Sequence, residues 1–312
     1  MTISLPPHSS QPDQMKTRFD RILINDLPDT PGVYLFYGAS GELLYVGKSK
    51  TVRTRVRSHF SSRGEAWLRR RVRRIEVRET AGELGALLLE SQLIKELRPM
   101  FNVASRKRRR IIIARRIMND KGYAMVALEA VDYLDIRETE PILGIFKHKT
   151  QAKEYLTAIA KTHRLCPKLL RLENAKRYCF SYHLKQCNGA CMGEESSARY
   201  NARLESAFRA RRIKAWPYEG GIVVEERSAH NRYRELFLID NWCLVTSFRS
   251  SDGAFERHIR GNHRFDYESY KILLSYLSDE GNDHAVIQLN DDTFDKLCRE
   301  GPAEGGKLRT LH

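Results

Sequence analysis

The chain is predicted to be α+β, built in three successive parts, and three observations predict this. Short β-prone runs and strongly periodic helices follow one another as β-β-α-β-α across residues 25–103. Cysteines crowd into 161–198, which in a reducing compartment reads as a metal site before it reads as disulfides. Further short strands then fill 199–300, a small α+β C-terminal domain. At 312 residues the chain is long enough for two modest domains with separate cores.

The elements follow in order. Residues 1–24 carry Pro, Ser and Gln and read as a flexible N-terminal tail. Val33–Tyr37 and Leu43–Val46 are β-prone, and Gly38-Ala39-Ser40-Gly41 between them supplies a hairpin turn. Ser49 is placed to cap a helix running to Phe60, with Val52, Val56 and Phe60 on one face. Arg74–Glu79 alternates polar and apolar residues as a third strand. Glu83–Leu97 has helical periodicity, and Pro99 ends it. The basic run Arg106–Arg110 marks a domain edge and opens a linker and small strand–helix region over 104–160. Within it, Ile111–Met118 and Tyr123–Leu128 are strands joined at Asn119–Gly122, Ile142–Phe146 is a strand, and Gln151–His163 is helical. An Arg-rich helix is expected at Arg199–Lys214, then an antiparallel sheet from Ile222–Glu226, Leu236–Asp240 and Trp242–Phe248. Residues 301–312 read as a frayed tail.

Composition narrows the partners. Lys and Arg number 54 against 39 Asp and Glu, a formal charge of +15. That surplus points to a polyanion, nucleic acid first and an anionic membrane surface second. No run approaches the ~18 apolar residues of a membrane helix, and the polar start MTISLPPHSSQPDQMK does not resemble a signal peptide. A cytoplasmic protein facing nucleic acid is the expectation.

Several side chains could do chemistry. Tyr34 and Tyr45 lie on adjacent strands, and Lys48 follows directly; an ammonium beside a phenol favours the phenolate and makes a general base. The plain alternative is that Tyr and Val are common strand residues and Gly-Lys a common turn. Glu90 projects from an apolar stripe made by Ala86, Leu87, Leu93 and Ile94. A carboxylate buried there needs a compensating cation, from the protein or as a bound metal, unless it bends out to solvent. Arg55 and His59 lie one helical turn apart, and an Arg fork suits a phosphate.

The runs PGVYLF, LLYVGKSKTVRTRVRSHF and LGALLLESQLIKELRPMFNV, over residues 28–103, resemble the GIY-YIG endonuclease superfamily, above all the N-terminal nuclease of the bacterial excision-repair subunit UvrC. The resemblance implies a small three-stranded antiparallel sheet flanked by helices. It makes Tyr34 and Tyr45 the paired motif tyrosines, one of them the base, and gives Lys48 the task of holding a tyrosine reactive. It assigns Arg55 to phosphate, Glu90 as the only protein ligand of one Mg²⁺ or Mn²⁺, and Asn102 to ordering the site. His59 stands where UvrC usually has tyrosine, which leaves open a role in protonation or in orienting a water.

The cysteines read Cys166-x12-Cys179-x7-Cys187-x3-Cys191. Four thiolates without a zinc-type CxxC pair suit an iron–sulfur cluster or an atypical zinc site, unless some are simply small buried hydrophobes. The resemblance to the UvrC cysteine region favours a four-iron cluster, with zinc as the alternative and His183 a bystander. Phe265–Leu273 resembles the C-terminal part of short, single-nuclease relatives of UvrC. That branch implies incision of damaged double-stranded DNA on the 3′ side of a bulky lesion, at a site selected by UvrB after loading by UvrA, in a bacterial cytoplasm at the nucleoid. A stand-alone homing or restriction nuclease would need a sequence-reading module, and none is found. A catalytically dead DNA-binding relative is disfavoured because the motif side chains are all present. Arg69–Arg74 and Arg106–Arg110 are expected to meet backbone phosphates.

Overall fold

The computed structural model describes residues 1–4, 24–102, 111–131, 134, 142–229, 232–251, 254–261 and 263–302. They divide into two compact units, Met1–Arg108 with Trp216–His312, and Arg109–Ala215.

In the first unit, β1 (Thr2–Ser4), β2 (Gly32–Tyr37), β3 (Leu43–Ser49) and β4 (Arg74–Glu79) form an antiparallel sheet ordered β1-β4-β2-β3. The expected three strands are there, and residues assigned to a flexible tail add a fourth. Thr2 lies opposite Glu76, and the Met1 ammonium donates to the Val77 carbonyl at 3.0 Å. This covers an edge of β4 that would otherwise present unpaired N–H and C=O groups. Ile24, the last residue assigned to that tail, is buried in a core with Leu27 and Tyr34. Residues 5–23 lie outside the described residues, as do Arg106–Arg110.

Strand β2 is central, so both faces are buried: Val33 and Leu35 on one, Tyr34 and Phe36 on the other. Helix α1 (Val52–Ser61) covers the Tyr34 face with the predicted stripe Val52, Val56 and Phe60. It is not capped by Ser49. The strand runs through Ser49, whose hydroxyl accepts from the Thr51 N–H at 3.0 Å before the helix starts. Helix α2 (Ala66–Arg71), unforeseen from the sequence, leads into β4 and buries Leu68 in the same core. Helix α3 (Glu83–Leu97) packs on β2 and β3 from the opposite face. It ends at Arg98 in a left-handed conformation (φ 48), with Pro99 next.

The second unit holds β5 (Ile111–Met118), β6 (Ala124–Val131) and β7 (Ile142–Phe146), ordered β6-β5-β7, with α4 (Lys149–Thr162), α5 (Phe180–His183) and α6 (Ser197–Ala207). Its boundaries differ from those expected. The strand region and the cysteine region share one core, in which Phe146, Leu156, Tyr200 and Phe208 pack with Cys166, Cys179 and Cys187. Helix α6, expected to open the C-terminal domain at 199, closes this unit because its Tyr200 and Leu204 are buried in that core.

The C-terminal segment adds β8 (Ile222–Arg227), β9 (Tyr233–Asp240), β10 (Cys243–Ser251), β11 (Ala254–Arg260), α7 (Tyr267–Leu277), β12 (Val286–Gln288) and α8 (Asp291–Glu300). Five strands, not three, run in the order β11-β10-β9-β8-β12. Trp242, expected to begin a strand, instead joins Asn241 in a two-residue hairpin turn with φ of 62 and 46. This sheet belongs to the same unit as the nuclease-like sheet and grips its β4–α3 corner. Glu226 accepts from the Leu84 and Gly85 N–H groups at 2.9 Å each, and Glu235 from the Ala81 N–H at 3.2 Å. Arg249 donates to the Glu79 carbonyl at 2.9 Å, and the Tyr233 hydroxyl to that of Thr80 at 3.1 Å. Helix α7 packs on α3, and its capping Asp266 also pairs with Lys95. Among the described residues no helix is long and apolar enough to cross a membrane.

Candidate active site

Strand register brings the tyrosines together. Phe36 lies opposite Tyr45 and Tyr34 opposite Gly47, so Tyr34 and Tyr45 share a face as diagonal neighbours with ring centroids 6.3 Å apart. Gly47 makes room for this. A Cβ there would stand 2.4 Å from the Tyr34 hydroxyl oxygen and 2.5 Å from its Cζ. Asn102 steadies the same edge strand: its carboxamide accepts from the Val46 N–H at 2.9 Å and donates to the Val46 carbonyl at 2.8 Å.

His59 comes up beneath the tyrosines from the end of α1, 4 % exposed. Its Nε2 is 2.6 Å from the Tyr34 hydroxyl and its Nδ1 2.7 Å from Glu65 Oε2. Glu65 was missed from the sequence. It reaches His59 only because the chain reverses through the short 3₁₀ turn Arg63–Glu65 after α1, and no local pattern signals that approach. Burial pushes the Tyr34 phenol well above its ordinary range; Tyr45 and Glu90 add to this and Arg55 opposes it. Burial likewise raises the Tyr45 phenol, with Glu90 adding and Arg55 opposing. Burial lowers His59, against the pull of Glu65. Tyr34 is therefore a weak acid with a neutral imidazole at its hydroxyl.

The pairing of Lys48 with a phenol is not what the structure forms. Side chains alternate along a strand, and three positions separate Tyr45 from Lys48, so they leave opposite faces. Lys48 turns to α3, where its Nζ is 3.5 Å from Glu83 Oε1; Lys50 reaches the same carboxylate at 2.6 Å. The cation acting on both phenols is the exposed Arg55. Glu90 lies half-buried on α3, raised by desolvation and opposed by the Lys48 charge and backbone N–H. The Glu90 charge is also felt at both tyrosines and raises each phenol further. A hard cation beside Glu90 would restore its charged form, and a lone carboxylate suits a metal whose other ligands come from water and substrate.

Of the arginine run at 69–74, at least three members have partners within the fold, and Arg71 lies over the Phe101 ring at 5.4 Å from its centroid. Arg74 stacks on Tyr37, its guanidinium carbon 3.7 Å from the ring centroid. Arg73 donates to the carbonyls of Arg70 and Val72 at 2.9 Å each.

In the second unit the four cysteines converge as their spacing suggested. Ligand atoms of Cys166, Cys179 and Cys187 lie within 4.8 Å of one another. Cys179 Sγ is 3.4 Å from Cys187 Sγ and 3.8 Å from Cys191 Sγ. Burial pushes the Cys166 thiol up to about 11 and Cys179 higher still. Three of the four are buried, and bound metal would supply the charge that thiolates there need. His183 lies on α5 with its ring against Tyr178, centroids 4.7 Å apart.

Comparison with known proteins covers most of the chain. Residues 30–103 match the UvrC-like GIY-YIG domain, 108–210 the UvrC/Cho excinuclease middle domain, and 221–293 the excinuclease Cho C-terminal domain. Excinuclease Cho of Escherichia coli O157:H7 is 38% identical over 256 residues, 81% of this chain and 84% of that one. Excinuclease Cho of Salmonella typhimurium is 35% identical over 284 residues, 90% and 92% of the two chains. The magnesium-bound N-terminal GIY-YIG endonuclease domain of UvrC from Thermotoga maritima is 28% identical, covers 29% of this chain and 98% of its own, and has a TM-score of 0.25.

Proposed function

The chain belongs to the excinuclease Cho family, whose members are endonucleases of nucleotide excision repair, and we propose that it makes one incision on the 3′ side of a bulky lesion. The substrate is double-stranded DNA already marked by UvrB after UvrA loading, so damage specificity comes from that complex and not from base contacts of this chain. Such a protein works at the bacterial nucleoid. The observation that carries the reading is the contact of the Tyr34 hydroxyl with His59 Nε2, 2.6 Å long, beside Tyr45, Arg55 and Glu90.

Tyr34 serves as general base toward the attacking water, passing its own proton to His59 as it takes the water's. Tyr45 lines the same face and holds the ring of Tyr34 in place. Arg55, exposed beside them, grips the scissile phosphate with its planar fork. Lys48 keeps Glu90 ionised and turned toward the site, and Asn102 holds the edge strand that carries Tyr45. Glu90 is the protein ligand for one divalent ion, Mg²⁺ or Mn²⁺, which supplies Lewis-acid stabilisation of the departing 3′ oxygen when bound.

The test is incision of an end-labelled duplex with one defined bulky lesion, in Mg²⁺, with and without purified UvrA and UvrB. A single cut 3′ to the lesion that needs those proteins and disappears in Glu90→Ala is the expected result. Cutting without them would point to a free-standing nuclease. An undiminished cut by Glu90→Ala would sink the metal assignment.

The four thiols hold a metal group that ties the second unit together. Four thiolates around one tetrahedral ion at Zn–S of ~2.3 Å stand about 3.8 Å apart, and the sulfur spacings of 3.4 and 3.8 Å suit that arrangement. A four-iron cluster, in which each thiolate binds a different iron, would need the sulfurs to part. Metal analysis of protein purified without oxygen separates the two: one zinc per chain, or four irons with sulfide and a visible absorption band.

A further inference from the structure

We propose that Glu65 is a positioning residue for hydrolysis, fixing the His59 imidazole in the tautomer that can take the Tyr34 proton. This rests on the reading of Tyr34 as base and His59 as acceptor. A carboxylate accepts hydrogen bonds and has no hydrogen to give. The 2.7 Å contact between Glu65 Oε2 and His59 Nδ1 therefore places the imidazole hydrogen on Nδ1. In a neutral ring Nε2 then bears the lone pair, and Nε2 is the atom 2.6 Å from the Tyr34 hydroxyl. Tyr34 donates, His59 accepts, and the direction of proton flow is set by the residue behind the ring.

Among the described residues, nothing else around the ring selects that tautomer. Phe36 and Tyr45 meet the imidazole edge to face, with centroids 5.9 and 5.7 Å away. They fix its plane, but an aromatic face does not distinguish which nitrogen carries hydrogen. Among the described residues Glu65 is the group bonded to Nδ1. Among the described residues, the charged and titratable groups facing His59 are Tyr34 on β2, Tyr45 on β3, Arg55 on α1 and Glu65 on the turn that follows.

The step balances without further reagents. A water O–H bond breaks and its proton bonds to the Tyr34 oxygen, while the Tyr34 O–H bond breaks and that proton bonds to His59 Nε2. The water's electron pair forms the new bond to phosphorus. The P–O3′ bond breaks, its pair leaving on the 3′ oxygen, which takes a proton from solvent. The imidazolium, held beside the Glu65 carboxylate during the step, returns its proton to water afterwards.

The experiment uses the full chain with UvrA, UvrB and the lesion duplex under single-turnover conditions across a pH series. Glu65→Ala should slow cleavage roughly tenfold to hundredfold, with DNA binding and thermal melting unchanged. Glu65→Gln, which keeps an acceptor oxygen, should recover part of that loss. In both variants the acid limb of the rate profile should move to lower pH, because the carboxylate that raises the imidazole's proton affinity is gone. Imidazole ¹⁵N shifts of the wild-type chain should report hydrogen on Nδ1. A wild-type rate with an unmoved acid limb in folded Glu65→Ala overturns the proposal, and so does a wild-type His59 bearing hydrogen on Nε2. Failure of the underlying reading is seen separately: Tyr34→Phe at full rate removes Tyr34 as base, whereas an inactive Tyr34→Phe beside a fully active Glu65→Ala removes only Glu65.

Discussion

Gly47 shows how little space separates the motif from its failure. A strand ordinarily gains nothing from glycine, yet here the missing Cβ is filled by the Tyr34 phenol, whose oxygen would stand 2.4 Å from it. Gly47→Ala must therefore displace Tyr34 from His59 or part the strands. Overpacking of this kind costs about 1–3 kcal/mol. Urea unfolding should register that loss, and incision should fall at least tenfold while DNA binding persists. The tyrosines, Arg55, His59 and Glu90 could be singled out as candidates from strand pairing, helical spacing and an apolar stripe, and Asn102 through the family resemblance. Glu65 and the true partner of Lys48 were not. The first depends on a chain reversal after α1, and the second on strand parity that separates neighbours in sequence onto opposite faces.

Helix α3, which carries Glu90, has an N-terminus that its own residues do not cap. Gly82 holds the capping position with no side-chain bond, and the helix's Glu83 is taken by Lys48 and Lys50. The uncapped amides of Leu84 and Gly85 are met instead by Glu226 from β8. Gly82 allows this closeness, since a Cβ there would stand 2.3 Å from Glu226 Oε1. Buried carboxylates facing helix N–H groups offset part of their desolvation through the helix dipole. Glu226→Ala should leave two buried amides unsatisfied and cost about 1–3 kcal/mol. Hydrogen exchange at the first turn of α3 should accelerate in that variant; unchanged protection would show that the cap contributes nothing. The helix itself was readable from its periodicity, whereas its cap lies more than a hundred residues downstream and left no local trace.

At the scale of the molecule, the C-terminal sheet and the nuclease sheet are one unit, and their junction titrates. Glu235 is fully buried, and burial pushes its carboxyl up to about 7 from an ordinary 4.5, with the Ala81 N–H and Arg249 opposing. His258, 3.6 Å away, is lowered to about 4 by burial and by Arg249 and Arg78. Both shifts favour a neutral pair. A raised carboxyl contributes stability that is full below its unfolded value of 4.5 and is lost as pH rises through 7. The same sign analysis for the lowered His258 gives the reverse trend, lost as pH falls through the range from its ordinary 6.5 to 4. Between pH 6.5 and 8, then, Glu235 governs. Wild-type stability should fall across that window by an amount on the order of 1 kcal/mol, and Glu235→Gln should flatten the slope. A slope unchanged in Glu235→Gln would mean that the junction does not titrate there.

The sequence by itself determined the β-β-α-β-α order over 25–103 and the grouping of four cysteines, because these depend on short-range periodicity, turn chemistry and spacing. The nuclease reading and its motif residues came with the family resemblance those runs carry. Only the tertiary structure decided which side chains meet. It set Tyr34 against His59 and Glu65, turned Lys48 away from the phenols, gave α6 to the cysteine unit and supplied the α3 cap from a distant sheet. Those outcomes follow from strand register and from burial between segments far apart in the chain, and neither is encoded in any local run of residues.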